Sequence, residues 1–539
     1  MFTQRIKKVV KGKIYQSVLI LKSIREGKKV RHKTILNISK LPEIVISAIE
    51  LVLKNNKAID IKELKDLKQL KQRQGKSFGA LYTIIEICKR LGITSVLGKN
   101  KKAILTLIMI AGRIICQRSR WYIAQYWSKT QGVKEVLKYR GKFDEDDLYE
   151  TLGWLSKHQE EIEQGLWRSN FKENEKTKSI FLYDVTSSYV EGEQNELADY
   201  GYNRDEMKGK KQIVIGLLTD VKGEPLSVQV FPGNTNDHKT VVNQLEKIKK
   251  IYGAERVVFV GDRGMIKSEQ IKEITDKPNC WNYITAITKS QIEKMIREDV
   301  LQLGLFDERL CEVENEGIRY ILRKNPIRAS EIKINLEKRI AFIEKKVVER
   351  NKYLTEHPKA KIATACRYLE GEIKRRKLDK ILGLTEYEDR RFRIEVNEAE
   401  KEEYLRLAGC YVIKTDVPAT EMDKETIHSR YKDLAKVEQA FETFKSGLLE
   451  IRPINVRKES SVRGHVFVCL LALKVTYYLE KMLKELDFPI KYVLDTLNEI
   501  QYREIVYADS SCIKTLPDIL SDDQTRILQT LKITLPRQL

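Results

Sequence analysis

Along this chain the spacing of apolar positions changes several times, and each change predicts a different element. Residues 13–39, "KIYQSVLILKSIREGKKVRHKTILNIS", alternate apolar and polar positions on both sides of Gly27. That predicts two strands joined by a turn, with Lys and Arg outward. Residues 43–74 shift to helical spacing and become Lys-rich in "IKELKDLKQLKQRQGK". From Phe78 to about Lys172 apolar residues keep recurring at helical intervals. Within that stretch "YTIIEICKRLGITSVLG" (82–98) predicts helix, Gly turn, helix. Helix-turn-helix DNA readers share this pattern, and so does any small helical hairpin.

The period then shortens. "FLYDVTSSYV" (181–190) predicts a strand, and "KQIVIGLLTDVKGEPLSVQVFPG" (211–233) a hairpin turning at Gly223. "NDHKTVVNQLEKIKKIYG" (236–253) predicts an amphipathic helix capped by Asn236 or Asp237 and stopped by Gly253. A strand at 255–264, a short helix at 266–276 and a strand at 281–288 follow. This order predicts a mixed α/β sheet with helices on its faces. Residues 289–427 are a long, highly charged intervening segment, with helical runs at 331–354 and 363–378 and strands at 391–397 and 410–416. Beyond it, 429–454 predicts a helix whose apolar stripe is Val437, Phe441, Phe444 and Leu448. Tyr431, Glu438 and Lys445, seven apart, stack beside that stripe.

Charge adds a partner class. The 99 Lys+Arg against 77 Asp+Glu leave +22, and residues 1–77 hold 20 of the basic and 6 of the acidic residues. A basic arm of that strength points to a polyanion, foremost nucleic acid, with an anionic membrane surface second. No stretch is long and apolar enough to span a bilayer; the longest, "AILTLIMIAG" (103–112), is flanked by Lys102 and Arg113. "MFTQRIKKVVKGK" lacks the apolar core of a signal peptide. The eight cysteines are scattered without C-x-x-C or metal-like spacing, which fits a reducing cytoplasm and argues against a zinc site.

Two carboxylates break the strand pattern. Strands disfavour aspartate, yet Asp184 follows "FLY" and Asp262 follows "VVFVG". Either is explained as a strand end, or the pair stands at one edge of one sheet because chemistry needs it there. Asp237 is explained as a helix cap and Asp220 as a hairpin-turn residue. Glu438, at the border of a buried helical face, can reach over the sheet edge or form an ordinary salt bridge.

Asp184, Asp262 and Glu438, in that order on strand, strand and helix, resemble the acidic triad of DDE-type transposases with a ribonuclease-H-like core. The two aspartates are 78 residues apart, and 176 separate the second from the glutamate. A large insertion at that point resembles the insertion-sequence-four group and its branch named after insertion sequence 1634. The group's helix motif is Tyr, two residues, Arg, three residues, Glu, six residues, Lys. Tyr431, Glu438 and Lys445 match it, while Leu434 stands in the Arg position, with Lys436, Arg452 and Arg457 as nearby substitutes. "DVTSSYVEG", "QVFPGNTND", "VGDRG" and "VEQAFETFKSGLLEIRP" are similar to this branch as well.

The resemblance implies a multidomain α/β protein. Its expected parts are a basic N-terminal β-hairpin and Lys-rich helix (1–77), a helical DNA-binding region (78–175) and a ribonuclease-H-like mixed sheet (176–288). An α/β insertion (289–427), the core completion with the Glu helix (428–480) and a C-terminal helical region (481–539) follow. It implies metal-dependent cleavage of DNA and strand transfer at terminal inverted repeats, by a homodimer on paired ends in a bacterial cytoplasm, at the nucleoid when bound to DNA. A nuclease that cuts without joining, or a DNA-binding protein no longer catalytic, are the alternatives. Asp184, Asp262 and Glu438 are the expected ligands of Mg²⁺ or Mn²⁺, two ions in all, since hard dications take carboxylate oxygens. Tyr431, Lys445, Arg452 and Arg263 are the expected DNA contacts.

Overall fold

The computed structural model describes the chain apart from residues 11–12, 27–28, 55–70, 171–178, 253–256, 277–280, 388–389, 446, 507–511, 518 and 537–538. The expected Gly27 turn, most of the Lys-rich run and the Gly253 stop lie outside the described residues. The chain divides into two compact bodies.

The first comprises Met1–Lys76, Ile500–Leu520 and Leu535–Leu539. Strands β1 (Phe2–Val10), β2 (Lys13–Glu26) and β3 (Lys29–Asn37) form an antiparallel sheet in that order, where two strands were expected. Strand β1, "FTQRIKKVV", carries Arg5, Lys7 and Lys8 among few apolar residues, so no alternation marks it. Its ladder to β2, from Phe2 opposite Leu21 to Val10 opposite Lys13, is backbone pairing. Helix α1 (Glu43–Lys54) buries Ile46, Ile49 and Leu53 against Val18, Ile20 and Ile38. Arg5 ties β1 to α1 through Glu50 at 2.8 Å and through Glu43. Residues 71–74, expected as the end of a helix, belong instead to strand β4 (Lys71–Ser77), in one sheet with Gln501–Val506 and Cys512–Thr515. The region beyond 481, expected to be helical, therefore contains two strands.

The second body, Ser77–Glu499 with Ser521–Thr534, holds everything else. Its helices begin with α2 (Gly79–Arg90), α3 (Ile93–Leu97), α4 (Lys101–Ile115) and α5 (Glu145–Asn170). The Asn100 side chain caps α4 by accepting from the Ala103 N–H at 2.8 Å. The apolar run in α4 is core: Ala103, Leu105, Ile108 and Ile110 are buried. Helix, Gly92 and helix follow as expected. However, α2 is buried along most of its length and α3 is a five-residue turn with Ile93 and Leu97 inward. The pair is thus a core hairpin. Among the described residues no helix is long and apolar enough to cross a membrane.

The sheet that carries the acidic residues is built next. Strands β5 (Ser179–Tyr189), β6 (Gln212–Asp220) and β7 (Pro225–Pro232) run antiparallel, turning between β6 and β7 at Gly223. Asp220 closes that turn by accepting from the N–H groups of Lys222 (2.9 Å) and Glu224 (2.7 Å), as its turn reading expects. Helix α6 (Asp237–Lys247) leads to β8 (Val257–Gly261), parallel to β5; α7 (Ser268–Thr275) leads to β9 (Asn282–Ala286), parallel to β8. Phe181, Tyr183, Val241, Leu245, Phe259 and Ile274 meet in the core beneath.

The intervening segment is divided rather than wholly separate. Strands β10 (Cys311–Asn315), β11 (Ile318–Lys324) and, after a gap, β14 (Cys410–Thr415) extend the same sheet, giving the order β10-β11-β14-β9-β8-β5-β6-β7. Between β11 and β14, helices α8 (Pro326–Glu356) and α9 (Ile362–Arg375) with the ribbon β12 (Leu382–Tyr387) and β13 (Arg391–Val396) close a core of their own around Leu336, Ile343, Leu369 and Phe392.

The helix expected over 429–454 is two. Helix α10 (Lys424–Lys432) ends at Asp433, whose carboxylate pairs with Arg430 and Lys436, both at 2.8 Å, and α11 (Leu434–Lys445) follows. Val437, Phe441 and Phe444 are buried as expected. Leu448 lies beyond the helix and is half-buried, while Leu449 takes the buried place. Helix α12 (Glu459–Leu483) packs on α4, α5 and β7. Gly464 permits that approach, since a Cβ there would lie 2.0 Å from the Leu152 carbonyl oxygen.

Candidate active site

Register brings the two aspartates together. In the parallel pair β5–β8, Tyr183 stands opposite Gly261, so the next residues along, Asp184 and Asp262, come at neighbouring positions where β8 ends. Strand β5 runs on to Tyr189, which keeps Asp184 inside a rigid element; Asp262 follows the last residue of β8. The Asp262 carbonyl accepts from Met265 N–H at 3.0 Å, which tightens the turn that ends β8.

A cavity of about 470 Å³ opens beside them, lined among others by Asp184, Asp262, Glu438, Glu442, Arg204 and Lys445. Helix α11 supplies three of these six, held in place by its buried Val437, Phe441 and Phe444. The acids strain one another. Burial, then the charges of Asp262 and Glu438, push the Asp184 carboxyl up to about 7 against the opposing pull of the Val185 N–H and Arg204. The Val185 N–H donates to Asp184 Oδ1 at 2.8 Å. Tyr431, from α10, donates its hydroxyl to Asp262 Oδ1 at 3.1 Å, and burial with the Asp262 charge raises that hydroxyl's pKa. As the side chains stand, no three His, Cys, Asp or Glu among the described residues are close enough to hold a metal ion. The carboxylates border the cavity without converging.

The model of the transposase DDE domain family matches residues 175–474. The chain belongs to the DDE transposases. The model of the IS1634 family transposase N-terminal domain matches residues 4–63, which places the chain in that branch. A structural likeness is found to the cryo-EM structure of a piggyBac transposase synaptic complex with hairpin DNA. Its TM-score is 0.35 at 8% identity, over 74% of this chain and 79% of that one. Comparison with curated proteins gives no match.

In this transposase two of the three expected cations are engaged by the protein itself. Lys445 Nζ (2.8 Å) and Arg452 (2.5 Å) both donate to Oδ1 of Asp205, a carboxylate with a side chain only 1% exposed. The Tyr189 N–H donates to its Oδ2 at 3.1 Å. Despite this counter-charge, burial lowers the Lys445 ammonium pKa. Of the three substitutes for the motif Arg, only Arg452 joins this network. Lys436 turns to the Val221 carbonyl at 2.9 Å, and Arg457 is exposed. Arg263 is exposed next to Asp262.

Two further residues escaped the sequence reading. Arg204 donates to Asp237 Oδ1 at 2.6 Å and borders the acidic cavity. Its backbone N–H donates to Ser187 Oγ at 3.0 Å, which pins it to β5. Asp237 is therefore an ion-pair partner, not a cap; it is the first residue of α6, and the Asn236 side chain makes no capping bond either. Arg204 and Asp205 sit in a polar loop without periodicity. The only local signal was "YNRD", charged residues beside an exposed aromatic.

Proposed function

We propose that the protein binds the terminal inverted repeats of its own insertion sequence, cuts the DNA there and transfers the freed 3′ end to a target. The observation that carries this reading is the parallel register that sets Asp184 beside Asp262 on the cavity bordered by Glu438. The reading takes the mixed sheet, with antiparallel β5-β6-β7 followed by parallel β8 and β9, as a ribonuclease-H-like core. It takes residues 1–172, the basic arm 1–77 with the region that follows, as the end-recognition part, in a homodimer on paired ends.

The residues suit Mg²⁺ or Mn²⁺. The donors are all oxygen, which hard ions prefer, and burial first, then the charges of Asp262 and Glu438, raise the Asp184 carboxyl to about 7, a shift that a bound cation would oppose. Asp184, Asp262 and Glu438 would hold two ions, which when bound activate the attacking oxygen and stabilise the leaving one. The chain's own contribution is placement. Strands β5 and β8 fix two carboxylates rigidly, and the longer Glu438 reaches in from α11. Tyr431 orients Asp262 through its hydroxyl bond. Asp205 holds Lys445 and Arg452 at the cavity margin, from where they can turn to a DNA phosphate, a charge-assisted contact of the kind that positions a duplex.

Cleavage and joining assays on end-containing DNA test the proposal. Asp184→Ala and Asp262→Ala should each abolish both reactions in Mg²⁺ while a gel shift still shows end binding. Normal cutting by either variant refutes the site. Cutting without joining by the unaltered protein makes it a nuclease instead.

A further inference from the structure

Helix α4 belongs to the stretch expected to read DNA, yet the cation in its last turn points inward. Arg113 is 7% exposed, and among the described residues no carboxylate pairs with it. Its Nη1 donates instead to the carbonyls of Leu449 and Glu450, both at 3.3 Å. One turn on, Gln117 Nε2 donates to the Leu448 carbonyl at 3.1 Å and to the Ile114 carbonyl at 2.8 Å. Three successive carbonyls of the turn after α11 are thus held by two side chains that lie 331 to 337 residues earlier in the chain. Burying a guanidinium is costly unless its donors are satisfied, and bonds from a charged donor are about twice as strong as neutral ones.

Both sides of this contact are strained. Glu450 has φ +41° and Gln117 φ +48°, left-handed values that residues with a Cβ rarely adopt. Such conformations persist only where the surroundings over-determine them, and they gather at working sites. The far end of the turn is fixed as well. The Ile451 N–H donates to the Phe444 carbonyl of α11, and the Ile454 N–H to the Tyr189 carbonyl at the end of β5, both at 3.1 Å. Tyr189 is also the residue whose N–H donates to Asp205, the carboxylate that holds Lys445 and Arg452. Arg452 therefore stands between two anchored points, with its acceptor tied to the second. The first, Leu448 to Glu450, is held from α4.

We propose that Arg113 and Gln117 are positioning residues, which fix the turn after α11 so that Arg452 meets Asp205 beside Lys445 at the acidic cavity. Neither touches DNA; each acts through Arg452. The inference rests on the reading of Lys445 and Arg452 as contacts to a DNA phosphate. It gives part of the helical region a task in the chemistry rather than in end recognition.

The test measures single-turnover cleavage of end-containing DNA by the full-length protein in Mg²⁺, in a cycle that combines Arg113→Met with Arg452→Gln. Small displacements near a reacting group cost up to about 100-fold, so Arg113→Met should lose about 10- to 100-fold. With Arg452 already replaced there is nothing left to position. Arg113→Met should then change the rate by no more than about twofold, the scatter of independent sites. A merely structural arginine would cost the same in both backgrounds, and that result overturns the clamp while leaving the DNA reading standing. If Arg113→Met does not fold, Gln117→Gly decides. Glycine adopts φ +48° freely, so this variant should keep its melting midpoint, lose the amide to Leu448 and cleave about 10-fold more slowly. Full-rate cleavage by Gln117→Gly, or an equal loss with and without Arg452, overturns the clamp. No cleavage by the unaltered protein overturns the DNA reading and the clamp with it.

Discussion

Asp205 offers a quantitative test of how the candidate site is held. Its carboxylate is almost fully buried, and two cations share one of its oxygens, Lys445 at 2.8 Å and Arg452 at 2.5 Å. At an effective dielectric of about 20, each contact carries about 6–7 kcal/mol of gross attraction. Most of that offsets the removal of three charges from water. Asp205→Asn keeps the shape and one acceptor but takes away the anion, leaving the desolvation of Lys445 uncompensated. Breaking a buried pair from one side costs about 3–5 kcal/mol. At about 2.1 cal/mol/K per residue over a body of this size, the melting midpoint should fall by about 3–6 °C. Lys445→Met in the same chain removes the stranded ammonium. The double variant should therefore be less destabilised than the sum of the two singles by at least about 1 kcal/mol. Thermal unfolding followed by circular dichroism, with urea titration as a second measure, reads both quantities. Strict additivity, or a midpoint unchanged in Asp205→Asn, would show that Asp205 does not hold the cations and that the network is incidental.

Three further outcomes are expected. Glu438→Gln should lower single-turnover cleavage by more than about 100-fold, beyond the loss usual for residues that only support a metal ligand. Glu442→Gln, on the same cavity, should keep most activity; the reverse pattern would reassign the third carboxylate. In divalent-free buffer Asp184→Asn should stabilise the protein at about pH 8. The Asp184 pKa rises from 3.8 to about 7 on folding, so its contribution is complete below about pH 4 and is lost as pH climbs through 7. The gain should approach about 4 kcal/mol at about pH 8 and vanish near pH 4, and a gain independent of pH would contradict the assignment. Gly464→Ala should destabilise by about 1–3 kcal/mol or more in urea titration, because its Cβ would meet the Leu152 backbone. A neutral result would mean that α12 is free to shift against α5.

The acidic strands were legible because each is a short apolar run followed or interrupted by one aspartate. Their register, Tyr183 opposite Gly261, was not legible, since two central strands can pair in more than one register. The insertion was harder to divide. Strand β10, "CEVEN", lies at the sheet edge with alternate residues exposed, so its charges disguise it as a linker. The break between α10 and α11 carries neither Gly nor Pro; it depends on Asp433 drawing Arg430 and Lys436 to itself. Asp205 was invisible for a different reason. Its partner Lys445 lies 240 residues away, and no local period encodes a contact across that distance.

Strand β4 has a consequence for the order in which the protein is made. Its sheet partners, Gln501–Val506 and Cys512–Thr515, follow the whole Glu438 helix and α12 in the chain. During synthesis β1, β2, β3 and α1 can associate as soon as they emerge, but β4 must wait for nearly the entire polypeptide. The sheet it will join does not exist until then, and closing so long a loop is entropically slow. A ribosome that stalls or terminates before residue 501 releases a chain with its basic N-terminal sheet and without the complete first body. Completing that sheet therefore depends on residues made more than 400 positions after β4: only a chain extended past residue 515 can present β4 in its sheet.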